Sequence, residues 1–239
     1  MSIADKILAL QTDSAAIADA IAAKGVTVPS GSGFDDYASL IGQISGGGGR
    51  IAVRVSYIES NGTQYVSTGY VPNANTRLIL DAAMTQVEAV TMAGLYKSSN
   101  PIQRFNIGVY QSQWHFGVSN NNASNKWVNF TSPSTDTQRH TFEVRGNGYC
   151  AVDSTTKQIT VDNTSSYANA IYLFARNNVG TVGAYSKIRL YEAIIKENDT
   201  IIHDFVPYRI GQTGFLYDTI GGDIYMNLGS GTFTIGSDV

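Results

Sequence analysis

The 239-residue chain is expected to be mainly β, an antiparallel β-sandwich with a small N-terminal α-helical segment. Three observations predict this. Beyond residue 50, apolar and polar residues alternate with a period of two in one short run after another. Twenty-four glycines and fourteen tyrosines, against five prolines, suit glycine-marked turns between aromatic-rich strands. Helical spacing occurs only ahead of the run Gly46-Gly47-Gly48-Gly49.

The N-terminal segment carries Ile3, Ile7, Leu10, Ser14, Ile17 and Ile21 at spacings of 4-3-4-3-4, a narrow a/d seam with one serine in it. Ser2 is placed to cap this helix and Gly25 to end it, while Thr12 and Asp13 offer a second start. Phe34, Tyr37, Ile41 and Ile44, spaced 3-4-3, predict a second short helix after the turn-rich stretch 27–33. The stripe Ile3, Ile7, Leu10, Ile17, Ile21, Phe34, Tyr37 and Ile41 is open to two readings. It packs against other copies or a carrier particle, or the helices cover each other or one end of the sandwich. So few large apolar side chains make a thin core, which favours assembly. Four consecutive glycines hold no conformation cheaply and read as a joint. The expected organisation is therefore a helical attachment segment over 1–45, a hinge over 46–50 and a sandwich over 51–239.

Strands are expected at 76–83, 104–110, 114–119, 126–130, 139–145, 159–161, 171–174, 187–195 and 201–206. Within them, alternation turns Trp114, Phe116, Val128 and Phe130 inward and Trp127 outward. The loop ahead of Trp127 reads Asn120-Asn121-Asn122-Ala123-Ser124-Asn125. Gly146-x-Gly148-x-x-Ala151 fits a loose dinucleotide fingerprint, but it lies between two strands and reads as a hairpin turn.

Two motifs stand near the ends of the 51–239 region. One is Tyr57-Ile58-Glu59-Ser60-Asn61-Gly62-Thr63-Gln64-Tyr65, continuing through Thr68-Gly69-Tyr70 to Pro72. The other is Asp204-Phe205-Val206-Pro207-Tyr208-Arg209, with Gly214-Phe215-Leu216-Tyr217-Asp218 and the stretch 225–233. Together with Leu173-Phe174-Ala175-Arg176-Asn177, they resemble the concanavalin A-like, laminin-G-type jelly rolls of phage and prophage tail and fibre proteins. Ile17-Ala18-Asp19-Ala20-Ile21 with Phe34-Asp35-Asp36-Tyr37 is similar to short N-terminal modules of phage tail proteins. The resemblance implies a virion protein made in a host cytoplasm, with its jelly roll displayed outward.

Charge and composition exclude several classes. Residues 1–49 hold two lysines and five aspartates, whereas 50–239 balances fourteen basic against fourteen acidic groups. A neutral domain without a basic stripe is a poor nucleic-acid binder. Cys150 is the only cysteine, which leaves no intrachain disulfide and no cysteine-built zinc site, and it reads as a buried hydrophobe. Neither a basic n-region nor an apolar run of about 18 residues is present, so neither a signal peptide nor membrane insertion is expected.

No catalytic constellation is legible. His203 beside Asp204 lacks a Gly-x-Ser-x-Gly elbow, and His140 falls on an apolar strand face. Glycoside hydrolysis needs two facing carboxylates. Glu192, Glu197 and Asp199 are the densest acids, the latter two in a turn. No cofactor is expected. Calcium, common in laminin-G folds, has only Asp218 and Asp223 as contributors. Sugar binding fits better, since it combines an exposed aromatic ring with amide or arginine groups. The candidate ligand residues are Trp127, Asn125, Asn121, His115, Arg176 and Asn177. The expected partners are a host cell-surface glycan, other virion proteins through the N-terminal helices, and further copies in a homo-oligomer, with a trimer favoured. Two alternatives stand beside this: a decoration protein of capsid, tail or baseplate, and a glycan-degrading enzyme.

Overall fold

The computed structural model describes residues 2–42, 52–99, 101–122, 126–161 and 167–239, without the side chains of 38, 41, 42 and 120–122. The chain divides into two compact units, Met1–Ile51 and Ala52–Val239. The glycine run expected to be a hinge lies outside the described residues.

The first unit is a pair of helices, α1 (Ile3–Ala22) and α2 (Phe34–Gly42). Ser2 caps α1 in a reciprocal capping box with Asp5. The helix runs through Thr12 and Asp13 without restarting, and Gly25 follows it at φ 83°. Ile21, Val26, Tyr37 and Leu40 form a small core, with Ile17 packed on its edge. Tyr37 also donates its hydroxyl to the Ser14 carbonyl at 2.8 Å. The N-terminal half of the stripe is different: Ile3, Ile7, Leu10 and Phe34 are all more than half exposed. The apolar seam is therefore divided. Ile17, Ile21 and Tyr37 hold the helices together, and Ile3, Ile7, Leu10 and Phe34 remain uncovered within the unit. The Ile41 side chain lies outside the described residues.

The second unit is a β-sandwich. Its strands are β1 (Val53–Arg54), β2 (Ile58–Glu59), β3 (Val66–Ser67), β4 (Thr76–Met84), β5 (Val90–Lys97), β6 (Ile102–Tyr110), β7 (Gln113–Asn122), β8 (Trp127–Phe130), β9 (Arg139–Arg145) and β10 (Tyr149–Val152). They continue as β11 (Thr155–Gln158), β12 (Tyr172–Leu173), β13 (Arg176–Asn178), β14 (Thr181–Gly183), β15 (Ile188–Glu197), β16 (Thr200–Ile210), β17 (Thr213–Asp218), β18 (Ile224–Tyr225) and β19 (Thr234–Ile235). The larger sheet runs β11-β10-β9-β4-β15-β16-β17-β18, and the smaller runs β14-β13-β5-β6-β7-β8. Among the described residues, pairing is antiparallel except for one parallel bridge, Asn177 to Leu95. Leu78, Leu80, Phe142 and Val144 of the larger sheet meet Phe105, Ile107, Trp114, Phe116 and Phe130 of the smaller in one core. Trp114 is fully buried with its ring 4.8 Å from that of Phe142.

One strand expectation needs correction and one strand was not expected. Residues 159–161 are not a strand; the pairing segment lies just before them, as β11. Its exposed polar run Thr-Thr-Lys-Gln pairs as an edge strand, so no apolar alternation marks it. β5 went unrecognised because its first six residues are all buried and show no period of two. The Gly146–Gly148 stretch is the turn between β9 and β10, as expected.

The two end motifs bind each other. Gln64 is fully buried. Its amide oxygen accepts from Ser60 Oγ and the Asn61 amide, and its amide nitrogen donates to the carbonyls of Ser230 and Thr232. Asn227 accepts from the Tyr65 amide at 3.1 Å. A Cβ at Gly229 would stand 2.0 Å from the Thr63 carbonyl oxygen, so that close approach requires glycine. These motif residues close the sandwich by joining distant parts of the chain.

Candidate functional site

A pocket of about 300 Å³ opens on the outer face of the smaller sheet, lined by Arg104, Asn106, Tyr110, His115, Trp127 and Arg176 among others. Pleating produces it. Phe105, Ile107, Trp114, Phe116, Val128 and Phe130 turn into the core or towards it, so Arg104, Asn106, His115 and Trp127 turn out. The cross-strand registers then set three rows: Tyr96–Arg104, Gly94–Asn106–Gly117–Trp127, and Gly108–His115–Asn129. Glycines in the middle row leave a trough. A Cβ at Gly117 would lie 1.9 Å from Arg104 Cδ and 2.6 Å from Asn106 Oδ1, so the Arg104 side chain crosses the strand there.

His115 is held on every side. Its Nε2 lies 2.9 Å from Arg104 Nη1, which can only donate, so the ring accepts there. The proton consequently sits on Nδ1 and is donated to Asn129 Oδ1 at 2.7 Å. Burial lowers the His115 pKa to about 4 and the Arg104 charge adds to this, against the opposing bond to Asn129. The ring is neutral at physiological pH. Tyr110 and Trp127 flank it, with centroids 5.6 Å and 5.4 Å away. Both are nearly half exposed, and Trp127 presents an indole face at the rim.

Arg104 and Arg176 share one aromatic ring: their guanidinium carbons lie 4.6 Å and 5.1 Å from the Tyr96 centroid. Arg176 is oriented by donating from Nε to Asn178 Oδ1 at 2.7 Å. Burial pulls both arginine pKa values down, and the Arg176 charge contributes to the shift at Arg104. Arg104 Nε and Asn106 Oδ1 are buried and make no hydrogen bond among the described residues. Among the described residues, no carboxylate lies within ion-pair distance of either arginine.

The structure thus brings Trp127, His115 and Arg176 to one pocket. Asn177 is not part of it: it is 3% exposed, donates to the Ala170 carbonyl and accepts from the Gly180 amide. Its side chain points to the opposite side of β13 from Arg176, as pleating demands, and it holds a turn. Asn121 and Asn125 lie outside the residues whose side chains are described. Sequence reading missed Arg104, Asn106, Tyr96 and Tyr110. Arg104 and Asn106 alternate with Phe105 and Ile107, so their outward direction was legible, but their convergence with β8 and β13 depends on the sheet order.

Most of the remaining candidates have structural partners. His140 lies between Asp136 and Asp153, at 2.9 Å and 2.6 Å. Its pKa is raised: burial opposes the shift, but the bonds to the two aspartates outweigh it. His203 bonds Asp218 at 2.7 Å, and Asp218 also takes the amides of Asp204 and Ile220. Among the described residues, no group of three or more His, Cys, Asp or Glu side chains is placed to hold a metal ion. Glu197 accepts from Tyr70 and Asn73, and Asp199 sits in the tight turn before β16. Glu192 has its pKa raised by burial and by the charges of Asp204 and Asp81. Asp81 is tied to Arg139 and Asp204 accepts from Thr219. The Cys150 thiol is buried and pushed up to about 12, mainly by that burial, and is inert at neutral pH. No helix among the described residues is long and apolar enough to cross a membrane. Neither a protein-family model nor a curated protein matches the chain.

Proposed function

We propose that this chain is a non-catalytic adhesin of the phage or prophage tail-fibre type, whose sandwich binds a host-surface glycan in the trough of the smaller sheet. The observation that carries this reading is the outward Trp127, packed at a tilt of 42° against a neutral His115 beside two arginines and an unbonded Asn106 oxygen. An indole face packs on the apolar side of a pyranose, and fixed amide and guanidinium groups select its hydroxyls. Buried polar atoms left unbonded cost about 1–3 kcal/mol each, and a ligand hydroxyl relieves that cost. The exposed Ile3, Ile7, Leu10 and Phe34 would join copies or grip the particle, multiplying a weak single-site affinity.

The test is binding of the full-length protein and its Trp127→Ala variant to whole host cells and to a glycan array. Loss of binding in the variant is the expected result. Equal binding by both proteins removes the trough from the reading. A second reading, decoration of a capsid, tail or baseplate, has its own observation: Ile220, Ile224, Met226 and Leu228 are all about half exposed within nine residues. Tight association with purified virions without any binding to cells or glycans selects it.

A further inference from the structure

The two arginines in the trough determine more than that a sugar fits. Arg77, Arg139, Arg145, Arg189 and Arg209 each rest on a carboxylate of the same chain. Arg104 and Arg176 are less exposed than an ordinary surface arginine and have none among the described residues. Among the described residues, no acidic side chain lines the pocket. Two cations over one tyrosine ring, with the buried Arg104 Nε donor unbonded, form a site suited to an anion. Guanidinium groups satisfy planar or tetrahedral oxyanions through paired N–H donors.

We infer that the trough selects an acidic sugar, a pyranose bearing a carboxylate, sulfate or phosphate group. The anionic group lies on Arg104 and Arg176, and the apolar face of the ring lies on Trp127. Asn106 Oδ1 accepts from a ring hydroxyl. His115 links the two ends, since it packs against Trp127 on one side and accepts from Arg104 on the other. Gly117 keeps the floor low enough for the Arg104 side chain to reach across. The pocket volume of about 300 Å³ suits one or two sugar units.

This inference rests on the glycan-binding reading, and the experiment separates the two. Full-length protein is compared on an array holding neutral oligosaccharides, oligogalacturonates, their methyl esters, and sulfated and phosphorylated oligosaccharides. Arg176→Gln, Arg104→Gln and Trp127→Ala variants are run beside it, each checked for the native far-ultraviolet circular dichroism. The expected result is binding to acidic members, weakened about 10- to 100-fold by Arg176→Gln and by methyl esterification. Raised salt should weaken it further. The carboxylate, sulfate and phosphate arms identify the group. Binding to neutral members that ignores Arg176→Gln but needs Trp127 overturns the acidic-sugar inference and leaves glycan binding intact. Binding to no member overturns both. Arg176, the more accessible arginine, keeps the test decisive if Arg104→Gln fails to fold.

Discussion

Lowering the pH from 7 to 4.5 should remove roughly 2 kcal/mol of sandwich stability through His115 alone. An ordinary histidine titrates near 6.5, and in the fold His115 titrates at about 4. The cause is burial first, then the Arg104 charge, against the opposing bond to Asn129. The unfolded chain therefore takes up a proton as the pH falls below 6.5, while the folded chain resists until about 4. The stabilisation is complete above the unfolded value, declines through the window between the two, and has lost roughly 3 kcal/mol below it. The groups around the ring are Arg104, Asn129, Tyr110 and Trp127, and none is a carboxylate that would stabilise the imidazolium. The perturbation is His115→Gln, whose amide can accept from Arg104 and donate to Asn129 without titrating. The assay is urea unfolding followed by tryptophan emission, which reports only on the sandwich because Trp114 and Trp127 both lie there. His140, which is stabilising when protonated and so acts in the opposite sense, is common to both proteins and cancels in the difference. Wild type minus variant should shrink by roughly 2 kcal/mol between pH 7 and 4.5. Parallel profiles, or a His115 midpoint above 6 in an NMR titration, would refute the reasoning.

Other outcomes follow from the same geometry. Gly117→Ala drives a methyl into Arg104 Cδ and should lower glycan affinity about tenfold, read on the array, by displacing that guanidinium. Gln64→Leu strands two carbonyls, a hydroxyl and an amide, and should cost roughly 3 kcal/mol, seen as a melting temperature lower by about 10 °C. Ser112→Gly should raise stability by roughly 0.5–1 kcal/mol in urea titration, because Gln111 and Ser112 occupy left-handed positions (φ 50° and 55°) in the two-residue β6–β7 turn.

The amino-acid sequence by itself determined the layering and the direction of individual side chains. A period of two is a local property, so Trp127 outward and Trp114 inward could be read from their immediate neighbours. Ser2 marked the start of α1 because a cap satisfies nearby backbone groups, and Gly25 lies just beyond its C-cap, Ala23. Reading failed where the local signal vanished, as in the wholly buried start of β5 and the wholly polar β11.

Only the tertiary structure decided which outward residues meet. Arg104, His115, Trp127 and Arg176 come from four strands, and the order β13-β5-β6-β7-β8 makes them neighbours. Asn177 shows the same division: adjacent to Arg176 in sequence, it faces the opposite way and anchors a turn. The two end motifs, conspicuous in the sequence, serve closure through Gln64, whereas the trough is built, Arg176 apart, from residues in no motif. Side-chain direction is set by the local backbone, but a site is set by sheet order and register, which depend on contacts distant in sequence.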